Sequence, residues 1–239
     1  MDSFDNTPSV AIVTGASRGL GRAVTAALLD RGWTVVVDAR RSADLDAIAS
    51  ALDSRRLIAI PGDVTDPSHR SVLISAACDA GPLRLLVNNA STLGPSPQPV
   101  LACYPLTELR TVYEVNVVAP LALTQAALPA LAETGGIIVN VTSDAAVEAY
   151  PGWGGYGSSK AAIDQVSAVL ATESDAVAVY AFDPGDMRTE MHQAAFPGAD
   201  ISDRPLPETV VPALLKLLDS RPAGGRYRAS DLSVAGRPA

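Results

Sequence analysis

Short runs of continuously apolar, β-branched residues recur along the chain, each followed by a stretch with helical spacing. Val10-Ala-Ile-Val-Thr14 is the clearest of them, bounded by Pro8 and Gly15. A strand that is apolar on both faces has to be covered on both faces. Parallel strands joined by crossover helices achieve this, because the helices fall on the two sides of the sheet. With right-handed crossovers, the pattern predicts an α/β chain built on a doubly wound parallel sheet of about seven strands with helices on both faces. Strands are expected at 10–14, 33–38, 57–60, 83–88, 136–141, 176–182 and 225–229. Helices are expected at 19–30, 43–52, from 67 toward 78, 108–132, 156–173 and 208–218. Pro120 and Pro129 should bend or break the longest of these. In such a sheet, ligands sit beyond the carboxyl ends of the strands.

Composition narrows the partners. Apolar residues make up 48 % of 239, enough for one large core and too many for a disordered chain. Lys and Arg total 18 against 26 Asp and Glu, a net charge of −8 that argues against nucleic acid or anionic lipid as a main partner. Two cysteines, Cys78 and Cys103, and two histidines, His69 and His192, give no metal-ligand spacing and no disulfide framework. The polar, acidic start MDSFDNTPS does not resemble a secretion signal, and no membrane-length apolar run is evident. The expectation is a cytoplasmic protein with a flexible N-terminus, 1–8, and a single domain, 9–239.

Thr14-Gly-Ala-Ser-Arg-Gly-Leu-Gly21 joins the first strand to the first helix. Gly15 permits a tight turn, Gly19 close approach of the backbone, and Gly21 packing of the helix near the sheet. The helix start then offers N–H groups to a pyrophosphate. By itself this is a glycine-rich turn, and its spacing is not the common G-x-G-x-x-G. Tyr156 and Lys160 lie one helical turn apart and project from one face. An ammonium beside a phenol favours the phenolate, which suits the pair to proton transfer.

From Val10 to about Ala229 the sequence resembles the short-chain dehydrogenase/reductase family in its single-domain, Rossmann-like form. The resemblance rests on the glycine turn, Asp63-Val64, Asn88-Asn89-Ala90, Asn116, Ser143, Tyr156-x-x-x-Lys160 and Pro184-Gly185-x-x-x-Thr189. It implies a dinucleotide site made by Gly15, Ser17, Arg18, Gly19, Leu20, Gly21, Asp38, Arg40, Asp63, Val64, Asn89, Ala90, Pro184, Gly185, Met187 and Thr189, joined by Tyr156 and Lys160. It implies Asn116, Ser143, Tyr156 and Lys160 as catalytic residues. In that scheme Ser143 holds the substrate oxygen, and Tyr156 transfers the proton. Lys160 lowers the tyrosine pKa and binds the nicotinamide ribose, and Asn116 holds a water in a proton relay. One position departs from the family pattern: Ser91 stands where the family has glycine.

An acid at the end of the second strand would bind the ribose hydroxyls of NAD, whereas arginines nearby would accept the 2′-phosphate of NADP. Val37-Asp38-Ala39-Arg40-Arg41 carries both signals. Arg18 and Arg40 favour NADP(H) over NAD(H), and Asp38 keeps the NAD reading open. The substrate loops contain Asp144, Tyr150, Trp153 and Met191, with Trp153 as the pocket wall, and they suit a medium-sized carbonyl compound or alcohol. His192 reads as an exposed helix residue. Three functions are therefore carried forward: an NADPH-dependent carbonyl reductase, an NAD-dependent alcohol dehydrogenase acting oxidatively, and a catalytically silent dinucleotide-binding regulator. No metal is expected. Apolar residues on the outer faces of the long helix and the Tyr156 helix suggest a homotetramer or homodimer.

Overall fold

A computed structural model describes residues 9–52 and 54–233. Seven strands form one sheet in the order β3-β2-β1-β4-β5-β6-β7, and every neighbouring pair is parallel. They are β1 (Val10–Val13), β2 (Thr34–Ala39), β3 (Leu57–Pro61), β4 (Leu83–Asn88), β5 (Ile137–Val141), β6 (Ala178–Asp183) and β7 (Gly225–Arg228). The expected doubly wound sheet is what the chain forms.

Side-chain alternation along the strands divides the core into two layers. On one side Ala11, Val13, Val35 and Val37 pack against Val24 and Leu28 of α1 (Gly19–Asp30). Leu45 and Ile48 of α2 (Ser42–Leu52) and Leu214 and Leu217 of α8 (Val211–Ser220) complete that layer. On the other side Val10, Ile12, Leu86 and Ile138 meet Leu73 and Ala77 of α3 (Pro67–Ala80) and Leu123 and Leu131 of α5 (Ala119–Thr134). The helix α6 (Gly154–Glu173) packs on β6. The chain folds β1, β2 and β3 outward in one direction and then returns to place β4 on the free side of β1. The strand order reverses there, and the ends of β1 and β4 diverge into a crevice.

The long helix departs from expectation. It divides into α4 (Leu106–Tyr113), a π-helical turn over Glu114–Val118, and α5. Pro120 lies in the first turn of α5 and has no N–H to give the carbonyl four residues back, that of Asn116. The irregularity therefore falls at Asn116 itself, while Pro129 sits inside α5 without ending it. By length and composition the run Leu106–Thr134 could cross a membrane. In this fold it is a packed helix, with α5 lying on β4 and α3. Two short helices, α7 (Glu190–Ala195) and α9 (Ala229–Ser233), follow β6 and β7. The second of these was not expected.

Candidate active site

The crevice is a cavity of about 1080 Å³ that runs along the carboxyl ends of the strands. At one end is the glycine turn. Gly15 takes φ +64°, and a Cβ there would sit 2.8 Å from Ala90 Cα. Thr14 and Asn89 tie this turn to β4. Asn89 N and Ala90 N both donate to Thr14 Oγ1 at 3.0 Å, and Asn89 Nδ2 donates to Thr14 O at 2.8 Å. Arg18, at the N-cap of α1, makes no side-chain cap bond, so the first-turn N–H groups of Leu20 and Gly21 have no side chain competing for them. Uncapped amides at a helix start beside a cavity suit a pyrophosphate. Ser17 and Gly19 line the same end.

Asp38 has partners that the sequence did not reveal. It lines the cavity, and its buried carboxylate is engaged: one oxygen accepts from Gly15 N at 2.6 Å, and the other meets His69 Nε2 at 3.2 Å. It braces the turn from beneath. Arg40 remains on the cavity wall near Asp63, beside Val64. Burial raises the Asp63 carboxyl pKa, but hydrogen bonds from Thr65 and the charges of Arg40 and His69 bring it below the usual value. Arg18 reaches across the cavity mouth to pair with Glu190 of α7.

At the other end stands Tyr156, in the first turn of α6 and buried. Ser143 and Ser91 line the same cavity as its phenol. Ser143 donates to Asp144 Oδ1 at 2.9 Å and accepts from Ala145 N at 3.2 Å. Lys160 Nζ lies 5.5 Å from the centre of the Tyr156 ring and donates to Val141 O at 2.8 Å. Burial lowers its pKa to about 8, a shift opposed by the carboxylate of Asp164 one turn further on.

The acidified phenol expected from the sequence is not what the cofactor-free chain holds. Burial dominates and pushes the Tyr156 pKa well above its usual value. The nearby hydroxyls of Ser143 and Ser91 oppose this, while the charges of Asp144 and Asp183 add to it. The phenol is thus neutral at pH 7.

Asn116 sits at the π-helical turn, where its side chain has a structural task. Its side chain lies behind the cavity wall, fully engaged. Oδ1 accepts from Ser91 Oγ at 3.1 Å and Thr92 N at 2.9 Å, and Nδ2 donates to Thr92 O at 2.9 Å and Ser159 Oγ at 3.0 Å. Both lone pairs and both N–H groups are used, so no position on the side chain is free for a water. Ser91 tolerates its place without strain, since Arg221 is the one non-glycine among the described residues with positive φ.

Beneath the site lies a group that sequence reading missed. Arg226 of β7 donates from Nη2 to Ser143 O at 3.0 Å and Asp183 Oδ2 at 2.7 Å, and from Nε to Asp164 Oδ2 at 3.0 Å. It clamps the segments that bear Ser143, Lys160 and Pro184 to one another. A lone arginine near the chain end carries no sequence signal for this, because its three partners come from distant elements.

Gly185 donates its N–H to Asp183 Oδ1 at 3.0 Å, and Thr189 caps α7 by accepting from His192 N at 3.1 Å. Pro184, Met187 and Thr189 line the cavity between its two ends. Of the substrate candidates, Asp144, Trp153 and Met191 line it too. Trp153 stands edge-on to Tyr156, with ring centres 5.9 Å apart. Tyr150 is set back: its hydroxyl donates to Asp144 Oδ2 at 3.0 Å, and its ring braces Trp153. The His192 side chain is largely covered, packed on Phe196 and 3.7 Å from Asp186, rather than exposed.

The family model for the short chain dehydrogenases matches residues 9–200. The chain belongs to the short-chain dehydrogenase family. Bovine sepiapterin reductase is 32 % identical over 202 residues, covering 78 % of this chain and 76 % of that protein. Serine 3-dehydrogenase of Agrobacterium fabrum is 33 % identical over 183 residues, covering 75 % and 72 %. Among solved structures, a short-chain dehydrogenase from Shigella flexneri complexed with NADP superposes with a TM-score of 0.87 at 28 % identity, covering 94 % of this chain and 98 % of that one. One from Escherichia coli complexed with NADPH gives 0.86 at 28 %, covering 95 % and 99 %. As a member of this family, the chain is an NAD(P)-dependent oxidoreductase acting on a small molecule.

Proposed function

We propose that this short-chain dehydrogenase is an NADPH-dependent carbonyl reductase, with Tyr156 as the proton donor. The observation that carries the reading is a buried phenol, held neutral, that lines one cavity together with Ser143, Lys160 and an uncapped helix start. Leu20, Gly21 and Arg40 would hold the phosphates of the dinucleotide, and the Pro184–Gly185 turn and Lys160 its nicotinamide half. Once bound, the reduced cofactor supplies a hydride to the carbonyl carbon. Ser143 hydrogen-bonds the carbonyl oxygen, and Tyr156 donates its proton to the same oxygen as charge develops there. Lys160, buried and still mainly protonated at pH 7, offsets the negative charge left on the tyrosine. A relay through Asn116 falls to its main-chain carbonyl, which Pro120 cannot satisfy.

NADP(H) is preferred over NAD(H) in this proposal because Asp38 is spent on Gly15 and His69, while Arg40 lines the cavity. The NADP and NADPH bound by the two solved relatives support the same choice. The substrate is a medium-sized ketone or aldehyde lying against Trp153. We extend the proposal to a cytoplasmic homotetramer or homodimer, on the exposed Leu106, Val118 and Val169 of the α4–α5 and α6 faces; sedimentation as a monomer would overturn it. NADPH consumption with a panel of ketones is the test of activity. Tyr156→Phe should lose nearly all turnover and keep NADPH binding; near-normal turnover in that variant would remove the assignment.

A further inference from the structure

His69 has no part in the chemistry derived above, yet its side chain is buried against the cofactor end of the cavity, whose wall includes Asp38 and Gly62. Asp66 caps α3 by accepting from Ser68 N at 2.8 Å, and Pro67 opens the helix, so His69 falls in its first turn. From there Nε2 reaches Asp38 Oδ2 at 3.2 Å, near the end of β2. A carboxylate only accepts, so the contact requires the imidazole to carry a proton on Nε2. The two side chains are 6 % and 3 % exposed.

The position of the ring is built into the fold. Gly62 follows β3, and a Cβ there would lie 2.2 Å from His69 Nδ1 and 2.5 Å from Cε1. Any side chain at residue 62 would push the ring off Asp38. Gly62 is not among the glycines of positive φ, so its missing side chain serves the histidine rather than the backbone.

This arrangement bears on the choice of dinucleotide. NAD offers ribose hydroxyls, which donate to a free acid at the end of the second strand, whereas NADP brings an anionic 2′-phosphate that the same acid repels. Here Gly15 N holds Oδ1 at 2.6 Å and His69 holds Oδ2, so each oxygen already has a donor from the protein. Two N–H dipoles aimed at the carboxylate also offset part of its charge, and Arg40 lines the same cavity.

We infer that His69 is a positioning residue that sets cofactor preference: by holding Asp38 Oδ2 it keeps the carboxylate from the ribose hydroxyls of NAD and weakens its repulsion of the 2′-phosphate of NADP. The inference rests on the NADPH reading of the site and adds to it the group that restrains Asp38.

The test is fluorescence titration of NADPH and NADH with the wild type, His69→Leu, His69→Gln and Gly62→Ala. His69→Leu frees Oδ2, and the ratio of the NADH Kd to the NADPH Kd should fall about tenfold, the worth of one hydrogen bond to a charged group. Glutamine places an amide N–H at the reach of Nε2, so His69→Gln should restore most of the wild-type ratio. Gly62→Ala keeps the imidazole but displaces it, and should move the ratio in the same direction as His69→Leu. It carries the test by itself if His69→Leu does not fold. In an Asp38→Asn background, adding His69→Leu should not move the ratio further; an additional fall there would overturn the role assigned through Asp38. Equal weakening of both cofactors in His69→Leu and Gly62→Ala would mean that the histidine only supports the glycine turn, and would overturn the inference alone. A wild type that binds NADH more tightly than NADPH would overturn the NADPH reading, and the role of His69 with it.

Discussion

Replacing Lys160 with methionine is expected to make the cofactor-free protein more stable while removing its activity. The ammonium is buried, and burial lowers its pKa from 10.5 to about 8. At about 1.36 kcal/mol per pKa unit, the folded state carries a cost of up to ~3 kcal/mol for keeping this charge at pH 7. Methionine has similar length and no charge. The substitution also removes the donor to Val141 O, worth about 1 kcal/mol, so the net gain should be about 2 kcal/mol. For a chain of this size that raises Tm by about 4–8 °C.

The pH dependence gives a second readout. Between about pH 8 and 10.5 the folded wild type has shed the Lys160 proton and the unfolded chain still holds it. The unfolded state then binds more protons, so wild-type stability rises across that window. Lys160→Met lacks this contribution, and its advantage should shrink steadily above pH 8. Thermal unfolding without cofactor from pH 7 to 10 measures both effects. A variant less stable than wild type at pH 7, or a gap that does not change with pH, would refute the reasoning. Loss of turnover alongside gained stability is what a site held at a cost to the fold should give.

Arg40→Ala should weaken NADPH binding about tenfold and leave NADH nearly unchanged, since a charge-assisted bond to a phosphate is worth about 1.5 kcal/mol; equal loss for both cofactors, measured by fluorescence titration, would contradict the phosphate assignment. Gly15→Ala places a Cβ 2.8 Å from Ala90 Cα at a φ of +64°, against backbone that has no flexible side chain to move aside. It should cost at least ~2 kcal/mol, and an unchanged melting temperature would count against the turn as described. Arg226→Met leaves Asp183 and Asp164 without their shared cation. A loss of about 3 kcal/mol in denaturant unfolding is expected, along with a fall in kcat; a neutral outcome would mean the clamp contributes nothing.

The sheet was legible in the sequence because its strands are buried on both faces, which writes an uninterrupted apolar run into each of them. The strand boundaries moved by a residue or two where β2 begins at Thr34 and β6 at Ala178. The long helix was harder. A proline was visible, but the irregularity appeared four residues earlier, at the carbonyl to which the proline has no N–H to donate. The glycine turn and the Tyr156–Lys160 pair were readable because each is local, made within one turn or one helical step. The partners of Asp38, Gly15 and His69, were not legible because they lie 23 and 31 residues away.

The sequence by itself determined the family, the doubly wound sheet and the residues that could carry proton transfer. Those depend on periodicity and short-range spacing, and such information is stored in neighbouring residues. Only the tertiary structure decided the electrostatic state of the site. A phenol's acidity depends on how much water reaches it and which distant groups share its hydrogen bonds. Burial in the crevice overrides the nearby amine in the cofactor-free chain, Asn116 spends its whole side chain on Ser91, Thr92 and Ser159, and an arginine on the seventh strand ties the site together from below.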